Sequence, residues 1–438
     1  MTIATELTDL NNNLILAKAS VTNKGGMVGD TGLAGLANEI ATIPSGSGTI
    51  IEEKDINFYD YDGTLVESWT LAELANKTAL PDAPVHEGLT SQGWNWTLAE
   101  LQVENSKMDV GHIYIPTDGK THIYVDIDSY HLTPNLAIGL NGTAIVDWGD
   151  GTATTTLTGS SIDTSQYSYH MYAAAGSYEV TIDISEGSEG KIRGNDSFVT
   201  FLWKGEATQS GVTLKNLTYA NQIKKIYLGL RLNIIGGLNQ CGVERITMHN
   251  DVTFSTEGVR HFYNCKNLLY LALPRSMTRA ERACDSCVKL KGISLPGNFS
   301  LFGEGAVINS CASVAKLYCT NRATMNNIYS RIVQSCQNLQ ELKLPASLTI
   351  ATGYLMNSCT KIRIQKFPDG LATFGSSAIL GCTNLWLLDF SSATSIPQMS
   401  GNAGTKDDGF IIQVPASLEA DWKSATGWSD WAQYIVGV

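Results

Sequence analysis

Cysteine recurs at a nearly constant interval through the second half of the chain, and this spacing constrains the fold more than any other feature. Seven of the nine cysteines share one register, with separations of 24, 22, 24, 25, 23 and 23 residues. They are Cys241, Cys265, Cys287, Cys311, Cys336, Cys359 and Cys382. A period of this length is typical of coils that stack into a solenoid. We therefore predict buried free thiols that anchor successive coils, rather than the disulfide framework of a small secreted domain.

The residues around each cysteine repeat as well. An apolar side chain or a thiol stands three residues before each anchor, and Leu, Val or Ile usually stands three residues after it. A strand such as Leu342-Lys343-Leu344 follows, and a proline often closes it, as Pro345 does. One coil cannot bury its apolar edge alone, whereas stacked coils pair their strands at ~4.8 Å and share a core. The unit after Cys359 departs from the pattern, because Gln365 stands where its neighbours have Leu or Ile.

The pattern C-x-x-L-x-x-L-x-L-P resembles the BspA-like class of bacterial leucine-rich repeats. The stretch Ile411–Leu418 and the residues after it resemble the closing segment of such arrays. We therefore expect a leucine-rich-repeat solenoid over residues 206–410 and a C-terminal cap over 411–438. The side chains suited to cover the last coil are Trp422, Trp428, Trp431 and Tyr434. The resemblance implies a surface adhesin or a phage or prophage protein, without catalytic activity.

Residues 108–205 alternate between apolar and polar side chains with a period of two, which predicts a β-sandwich. Three motifs follow in order: a W-G-D-G turn at Trp148–Gly151, an H-x-Y strand at His170–Tyr172 and a G-x-Y strand at Gly176–Tyr178. Together they resemble a PKD-like domain. The resemblance implies a spacer or an adhesive module.

Two further segments precede the sandwich. Residues 51–107 contain two β-rich runs around Asp62-Gly63, a strong hairpin signal, followed by two short helical segments, and we expect a small α+β module. Residues 1–50 end in a flexible linker and begin with apolar residues at heptad spacing. These are Ile3, Leu7, Leu10, Leu14, Ala17 and Val21. A short coiled coil for attachment or oligomerisation and an ordinary amphipathic helix both fit this spacing. The expected fold class is thus multi-domain and mainly β.

Charge and hydropathy exclude several functions. The formal net charge of -12 argues against nucleic acid as a partner. No run reaches the ~18 apolar residues of a membrane span, so membrane insertion is not expected. The N-terminal residues lack the features of a signal peptide, which favours transport as part of a particle.

Several short motifs imitate catalytic or metal sites. Asp60-Tyr61-Asp62-Gly63-Thr64 copies the D-x-D-G-T nucleophile motif of haloacid-dehalogenase-type phosphatases, but no βαβ alternation follows it, and a hairpin turn is the better interpretation. Cys284 and Cys287 form one C-x-x-C, but both fall on repeat positions. Asp147 and Asp150 supply too few oxygen ligands for calcium. We therefore predict no enzyme activity, no metal site and no cofactor.

The strands of the repeats should present alternate side chains away from the core. These residues form a predicted exposed ladder that is a candidate ligand-binding surface: Tyr270, Lys316, Tyr318, Glu341, Lys343 and Lys366. A merely solvated face is the alternative.

The first functional hypothesis is a virion-associated tail-fibre or baseplate protein that binds a host cell-surface receptor through its repeats. It rests partly on Ala41–Gly46, which resembles the start of several phage tail proteins. Such a protein would contact other tail or baseplate proteins and form a homo-oligomer, commonly a trimer. The alternative is a bacterial cell-surface adhesin. An enzyme acting on glycans is a third hypothesis, but the sequence lacks a paired-carboxylate signature that we can place.

Overall fold

The chain is described by a computed structural model. The described residues are 53–193, 202–205, 219–235, 238–252, 261–280, 283–302, 307–325, 332–351, 353–375, 377–401, 403–404 and 410–438. The predicted N-terminal helix, with its heptad seam from Ile3 to Val21, lies outside them. Within the described part of the chain, no helix has the length and apolar character needed to cross a bilayer. The protein is mainly β, as predicted, with a repeat solenoid in its C-terminal half.

A four-stranded sheet and two short helices form the first module. Its elements are β1 (Ile56–Tyr59), β2 (Leu65–Trp69), α1 (Leu71–Leu74), β3 (Leu89–Trp94), α2 (Leu98–Glu104) and β4 (Met108–Pro116). The strand order is β2-β1-β4-β3, and β1 and β2 form the antiparallel hairpin that the Asp62-Gly63 turn predicts. Each helix begins with a capping box, Thr70 with Glu73 and Thr97 with Glu100, which satisfies free amide groups of the first turn.

The assignment of residues 108–116 to the sandwich is wrong. Strand β4 lies between β1 and β3, parallel to the first and antiparallel to the second. Nearly all of its side chains are buried, because one face of β4 packs on the module's own helices and the other on the solenoid. We call the residues from Glu53 to Pro116 the N-terminal module.

A nine-stranded sheet follows and continues into the repeats. Its strands are β5 (Thr121–Ile127), β6 (Pro134–Asp147), β7 (Thr155–Tyr169), β8 (Gly176–Ile184), β9 (Glu189–Arg193), β10 (Trp203–Gly205), β11 (Ile223–Tyr227), β12 (Leu232–Ile235) and β13 (Arg245–Thr247). Strand β5 pairs antiparallel with β11, and β11 pairs parallel with β13. The sequence-based boundary at residue 205 therefore does not separate two folding units: the sheet includes strands from both sides of it.

The first two motifs of this sheet meet around the buried Trp148, and the third reaches them through Tyr178, whose ring stacks on Tyr172 with centroids 4.3 Å apart. The Trp148 ring stacks on His170 with centroids 4.6 Å apart, and the Tyr172 hydroxyl donates to the Trp148 carbonyl at 3.0 Å. His170 Nε2 lies 2.8 Å from Asp150 Oδ2, and Gly149 N donates to Asp147 Oδ1. These contacts stabilise the turn, and no cluster of metal-ligating side chains occurs among the described residues.

Each coil of the solenoid contributes short strands to parallel ladders. We call one row of strands the front ladder: β13, β15 (Tyr270–Ala272), β18 (Gly292–Ser294), β21 (Lys316–Tyr318), β24 (Glu341–Lys343), β27 (Ile364–Lys366), β29 (Leu387–Asp389), β31 (Ile411–Val414) and β32 (Ile435–Gly437). Its strands are hydrogen-bonded in separate sections, namely β15 with β18, β21 with β24, and β27 through β32. A second ladder contains β14 (Phe262–Tyr263), β17 (Cys284–Asp285), β20 (Ile308–Asn309), β23 (Val333–Gln334) and β26 (Met356–Asn357). The remaining strands are β16 (Arg279–Ala280), β19 (Leu301–Phe302), β22 (Thr324–Met325), β25 (Ile350–Ala351), β28 (Thr373–Gly375) and β30 (Gln398–Ser400).

All nine cysteines are buried and unpaired. The residue before each of the seven anchors has a positive φ, from 53° at Ser310 and Ser335 to 75° at Gly381, so each anchor follows a left-handed turn. The thiols also donate to the preceding coil: Cys265 Sγ lies 2.7 Å from the Leu238 carbonyl oxygen, and Cys382 Sγ lies 2.7 Å from that of Met356. Cysteine at this position is therefore a small apolar residue that also joins neighbouring coils through its weak S–H donor.

The last coil is closed by α3 (Glu419–Ser424) and the 3-10 segment Ser429–Tyr434. Trp422, Trp428 and Trp431 are buried there, and Tyr434 packs against the same core. The Trp428 ring stacks on Phe374 at 5.6 Å. One continuous hydrophobic cluster runs from Ile123 in the nine-stranded sheet to Ile435 at this end.

Candidate ligand-binding surface

The front ladder presents two outward rows of side chains. Register and repeat position align the first row as Tyr270, Gly292, Lys316, Glu341, Ile364, Leu387 and Ile411. They align the second row as Ala272, Ser294, Tyr318, Lys343, Lys366, Asp389 and Gln413. All six residues named from the sequence therefore lie on one face of the ladder, and the question is what covers that face.

The N-terminal module covers the first half of it. Strand β4 passes over β13, β15, β18 and β21 in succession, and its ladder-facing residues Asp109, Gly111 and Ile113 contact them. A Cβ atom at Gly111 would lie 2.2 Å from Ser294 Oγ and 2.6 Å from Ala272 Cβ, so only glycine permits this approach. The small residues of both surfaces thus let a sheet pack closely on the ladder.

The predicted exposure is consequently wrong for Tyr270 and Tyr318, which are 4% and 5% exposed. Tyr270 packs on Tyr59 of β1 with ring centroids 5.4 Å apart, and Tyr318 joins the hydrophobic core of the module. The physical reason is that an outward-facing side chain of a ladder can be buried by another part of the same chain. Nothing in the repeat pattern distinguishes the two situations.

A buried polar network surrounds Lys316. Its ammonium lies 3.2 Å from Asp109 Oδ1, 2.9 Å from Glu53 Oε2 and 2.8 Å from the Tyr59 hydroxyl. Burial raises the pKa of Asp109 to about 6, although Lys316 and a hydrogen bond from Asn57 favour its charged form. Asp109 is therefore a buried carboxylate whose charge depends on one lysine of the ladder.

Further ion pairs join the two surfaces. Glu104, at the end of α2, accepts from Lys343 Nζ at 2.8 Å, and Lys107 Nζ lies 2.8 Å from Glu341 Oε1. Arg275 binds Glu100 through two nitrogens at 2.7 and 2.8 Å. Burial alone would raise the pKa of Glu100, but the hydrogen bonds from Arg275 and from the backbone amide of Thr97 outweigh it and lower that pKa to about 2. Five of the six ladder residues therefore already have partners within the chain.

The second half of the front ladder is more open than the first, although Leu387 within it is buried. Lys366 is exposed and makes no ion pair with any residue that the structure describes, and Ile364 and Trp386 are 48% and 40% exposed. A groove of about 730 Å³ lies where the module ends, between Asn105–Lys107 on one side and β24 and β27 on the other. Its lining combines apolar side chains such as Leu71 and Ile364 with lysine and amide groups. This groove and the open ladder beyond it are the candidate site.

The motifs that imitate catalytic sites have structural contacts. The Asp60 carboxylate is buried in the β1–β2 turn, accepts from Tyr61 N and lies 2.7 Å from His86 Nε2. Cys284 and Cys287 are fully buried repeat residues. Gln365, which breaks the repeat pattern, is also buried and donates to the Leu342 carbonyl of the preceding coil at 3.2 Å.

Sequence reasoning missed Asp109 and Gly111, which hold the module on the ladder. A signal for them existed: a glycine and an acidic residue stand in the middle of an otherwise apolar strand, where a close approach and a buried charge partner are expected. The sequence could not say which surface they approach.

Comparison with known proteins agrees with the repeat assignment. The family described as "BspA type Leucine rich repeat region" matches residues 213–328 and 308–400, in six copies, which is less than half of the 438-residue chain. No curated protein matches the chain.

Two solved structures share partial similarity. The leucine-rich repeat protein of T. pallidum is 20% identical, with 48% of this chain and 86% of that chain covered and a TM-score of 0.27. A leucine rich cell surface protein of Faecalibacterium prausnitzii is 12% identical, with 52% and 93% covered and a TM-score of 0.14. Over the residues that the family matches, the chain is similar to the BspA type of leucine-rich repeat.

Proposed function

We propose that this protein is a non-catalytic recognition protein of a bacterial cell surface, an adhesin that binds a macromolecular receptor through the open half of its front ladder. The observation that carries the proposal is the unequal coverage of that ladder. Its first half is buried under the N-terminal module, while its second half exposes Ile364, Lys366 and Trp386 beside a groove of about 730 Å³. Exposed apolar and aromatic residues rimmed by polar groups are typical of interaction sites.

The BspA-like resemblance, matched over residues 213–400, implies a surface adhesin or a phage protein, and it supports the adhesin without any contribution from residues 1–50. The virion-associated role, with tail or baseplate partners and a trimeric oligomer, rests on residues 1–50, to which the described residues add no support. We therefore prefer the adhesin. The PKD-like identity of the nine-stranded sheet belongs to the same proposal, with the sheet as a spacer, and it is supported by the contacts around Trp148.

Binding of fluorescently labelled protein to intact bacterial and mammalian cells tests this function. We expect saturable binding that the double variant Ile364→Asp/Trp386→Ala abolishes. The matched control is Val288→Asp, since Val288 is 39% exposed on the solenoid outside the front ladder. The proposal fails if neither cell type binds the protein saturably, or if the double variant binds as well as the control.

A further inference from the structure

We propose that the open half of the front ladder binds an extended segment of a partner polypeptide that runs across the ladder strands, continuing the path of β4. The inference rests on the proposed function and adds the chemical class of the receptor. It is based on the way in which the chain binds its own ladder, because the covered half shows an occupied version of the same surface.

The path of β4 shows the geometry of binding. Its residue Ile113 lies at Tyr270 and Ala272, Gly111 lies at Ala272 and Ser294, and Asp109 lies at Lys316. Alternate residues of one extended strand thus meet successive coils. Just before β4, Lys107 reaches Glu341 of the next coil, and there the chain turns away into α2. The groove begins at this point, so the ladder continues where its occupant stops.

The open rows differ in chemistry and define what the segment must carry. The first row continues as Ile364, Leu387 and Ile411, of which Ile364 is exposed, Ile411 is half-buried and Leu387 is buried. The exposed Trp386 directly precedes Leu387. The second row continues as Lys366 and Asp389, which lie opposite each other in the ladder. Because Asp389 Oδ1 accepts from Ser391 N, its charge is partly satisfied within its own turn.

The covered half indicates the pairing rule for charges. The module supplies carboxylates to two cations of the ladder, Asp109 to Lys316 and Glu104 to Lys343, and Glu100 pairs likewise with Arg275 in the turn after β15. Lys366 follows Lys343 in the same row and receives no carboxylate from the part of the chain that the structure describes. The partner segment is therefore expected to place an Asp or Glu at Lys366 and β-branched or aromatic side chains over Ile364 and Trp386.

Selection from a displayed library of random dodecapeptides tests the inference on the full chain. We expect selected peptides to alternate apolar residues with polar ones and to contain an acidic residue, and to lose affinity about tenfold or more on Lys366→Glu and on Ile364→Asp. Both residues are exposed, so the variants should fold, and thermal unfolding checks this. Val288→Asp is the control and should leave the affinity unchanged.

Three results would overturn the inference: no peptide is selected, the selected peptides lack acidic residues, or they bind Lys366→Glu as tightly as the wild type. If no peptide is selected but the protein binds glycans on an array, and Ile364→Asp abolishes that binding, the site recognises carbohydrate instead. The proposed function can fail separately. If the protein binds peptides but no cells, the adhesin function is contradicted. If it binds cells equally well after substitution of Lys366 and Ile364, the peptide site is contradicted.

Discussion

Replacing Lys316 with methionine should weaken the docking of the N-terminal module in a pH-dependent way. The variant keeps most of the side-chain volume but leaves Asp109, which is almost fully buried, without its cation. At pH 8 this carboxyl must either remain charged without a partner or bind a proton from solution, where the proton concentration is low. Loss of one partner from a buried ion pair typically costs about 3–5 kcal/mol of the free energy of unfolding. We expect a loss of that size at pH 8.

At pH 5 the same substitution should cost far less. Since the pKa of Asp109 is about 6 in the folded protein, the group is then mostly neutral and does not need Lys316. What remains is the half-exposed pair of Lys316 with Glu53, worth about 0–1 kcal/mol. In the wild type, the rise of the Asp109 pKa from 3.8 to about 6 means that this group contributes about 3 kcal/mol to stability below pH 4, and this is lost as the pH rises to 6.

Urea unfolding at both pH values, with hydrogen exchange of β1 and β4 measured by mass spectrometry, gives the two numbers. The double variant Asp109→Asn/Lys316→Met should recover most of the loss at pH 8, because no buried charge is left. Lys266→Met, at an exposed lysine of the repeats, is the matched control. Equal losses at pH 5 and pH 8, or a double variant as unstable as the single one, would refute the role assigned to the pair.

Three other outcomes are expected. Iodoacetamide at pH 8 should label no cysteine of the folded protein and all nine in urea, since burial raises the pKa of Cys359 to about 12 and that of Cys382 to about 11; native labelling seen by intact mass would contradict this. Ser335→Gly should raise stability by up to about 1 kcal/mol and Ser335→Val should lower it, as judged by thermal unfolding, because Ser335 has a φ of 53°. Trp428→Ala should cost about 3–5 kcal/mol and first increase hydrogen exchange in β29 and β31; uniform exchange along the solenoid would argue against a local cap.

The repeat was predictable because its signal is local and occurs seven times. Each coil has its own Cys, its own apolar residue three positions earlier and its own short strand, so errors at one unit do not affect the rest. The left-handed residue before each anchor was not predicted. Ser and Asn occupy most of these positions, as Asn264 and Ser335 do, and only the shared position relative to Cys would have indicated a common turn.

The position of the module was not predictable from the same kind of pattern. Tyr270 and Lys316 are amphipathic side chains, which suit a solvated surface and an interface equally. Strand β4 misled the domain assignment because it is buried on both faces, so its apolar residues do not identify the sheet to which it belongs. Tertiary packing decides which strands pair with β4. The sequence alone could not distinguish its neighbours β1 and β3 from the strands that follow it.

A solenoid must close both of its ends, and the two ends here are closed by different means. At the C-terminal end, Trp422 and Trp428 cover the last coil. At the other end, β13, the first strand of the front ladder, pairs with β11, which pairs antiparallel with β5. The backbone groups at this edge are thus satisfied by the preceding sheet, and the two hydrophobic cores become one. Because β4 ends only a few residues before β5, the position of β5 in this sheet also determines where β4 lies. This short connection places the module over the first coils, where it covers the first half of the front ladder.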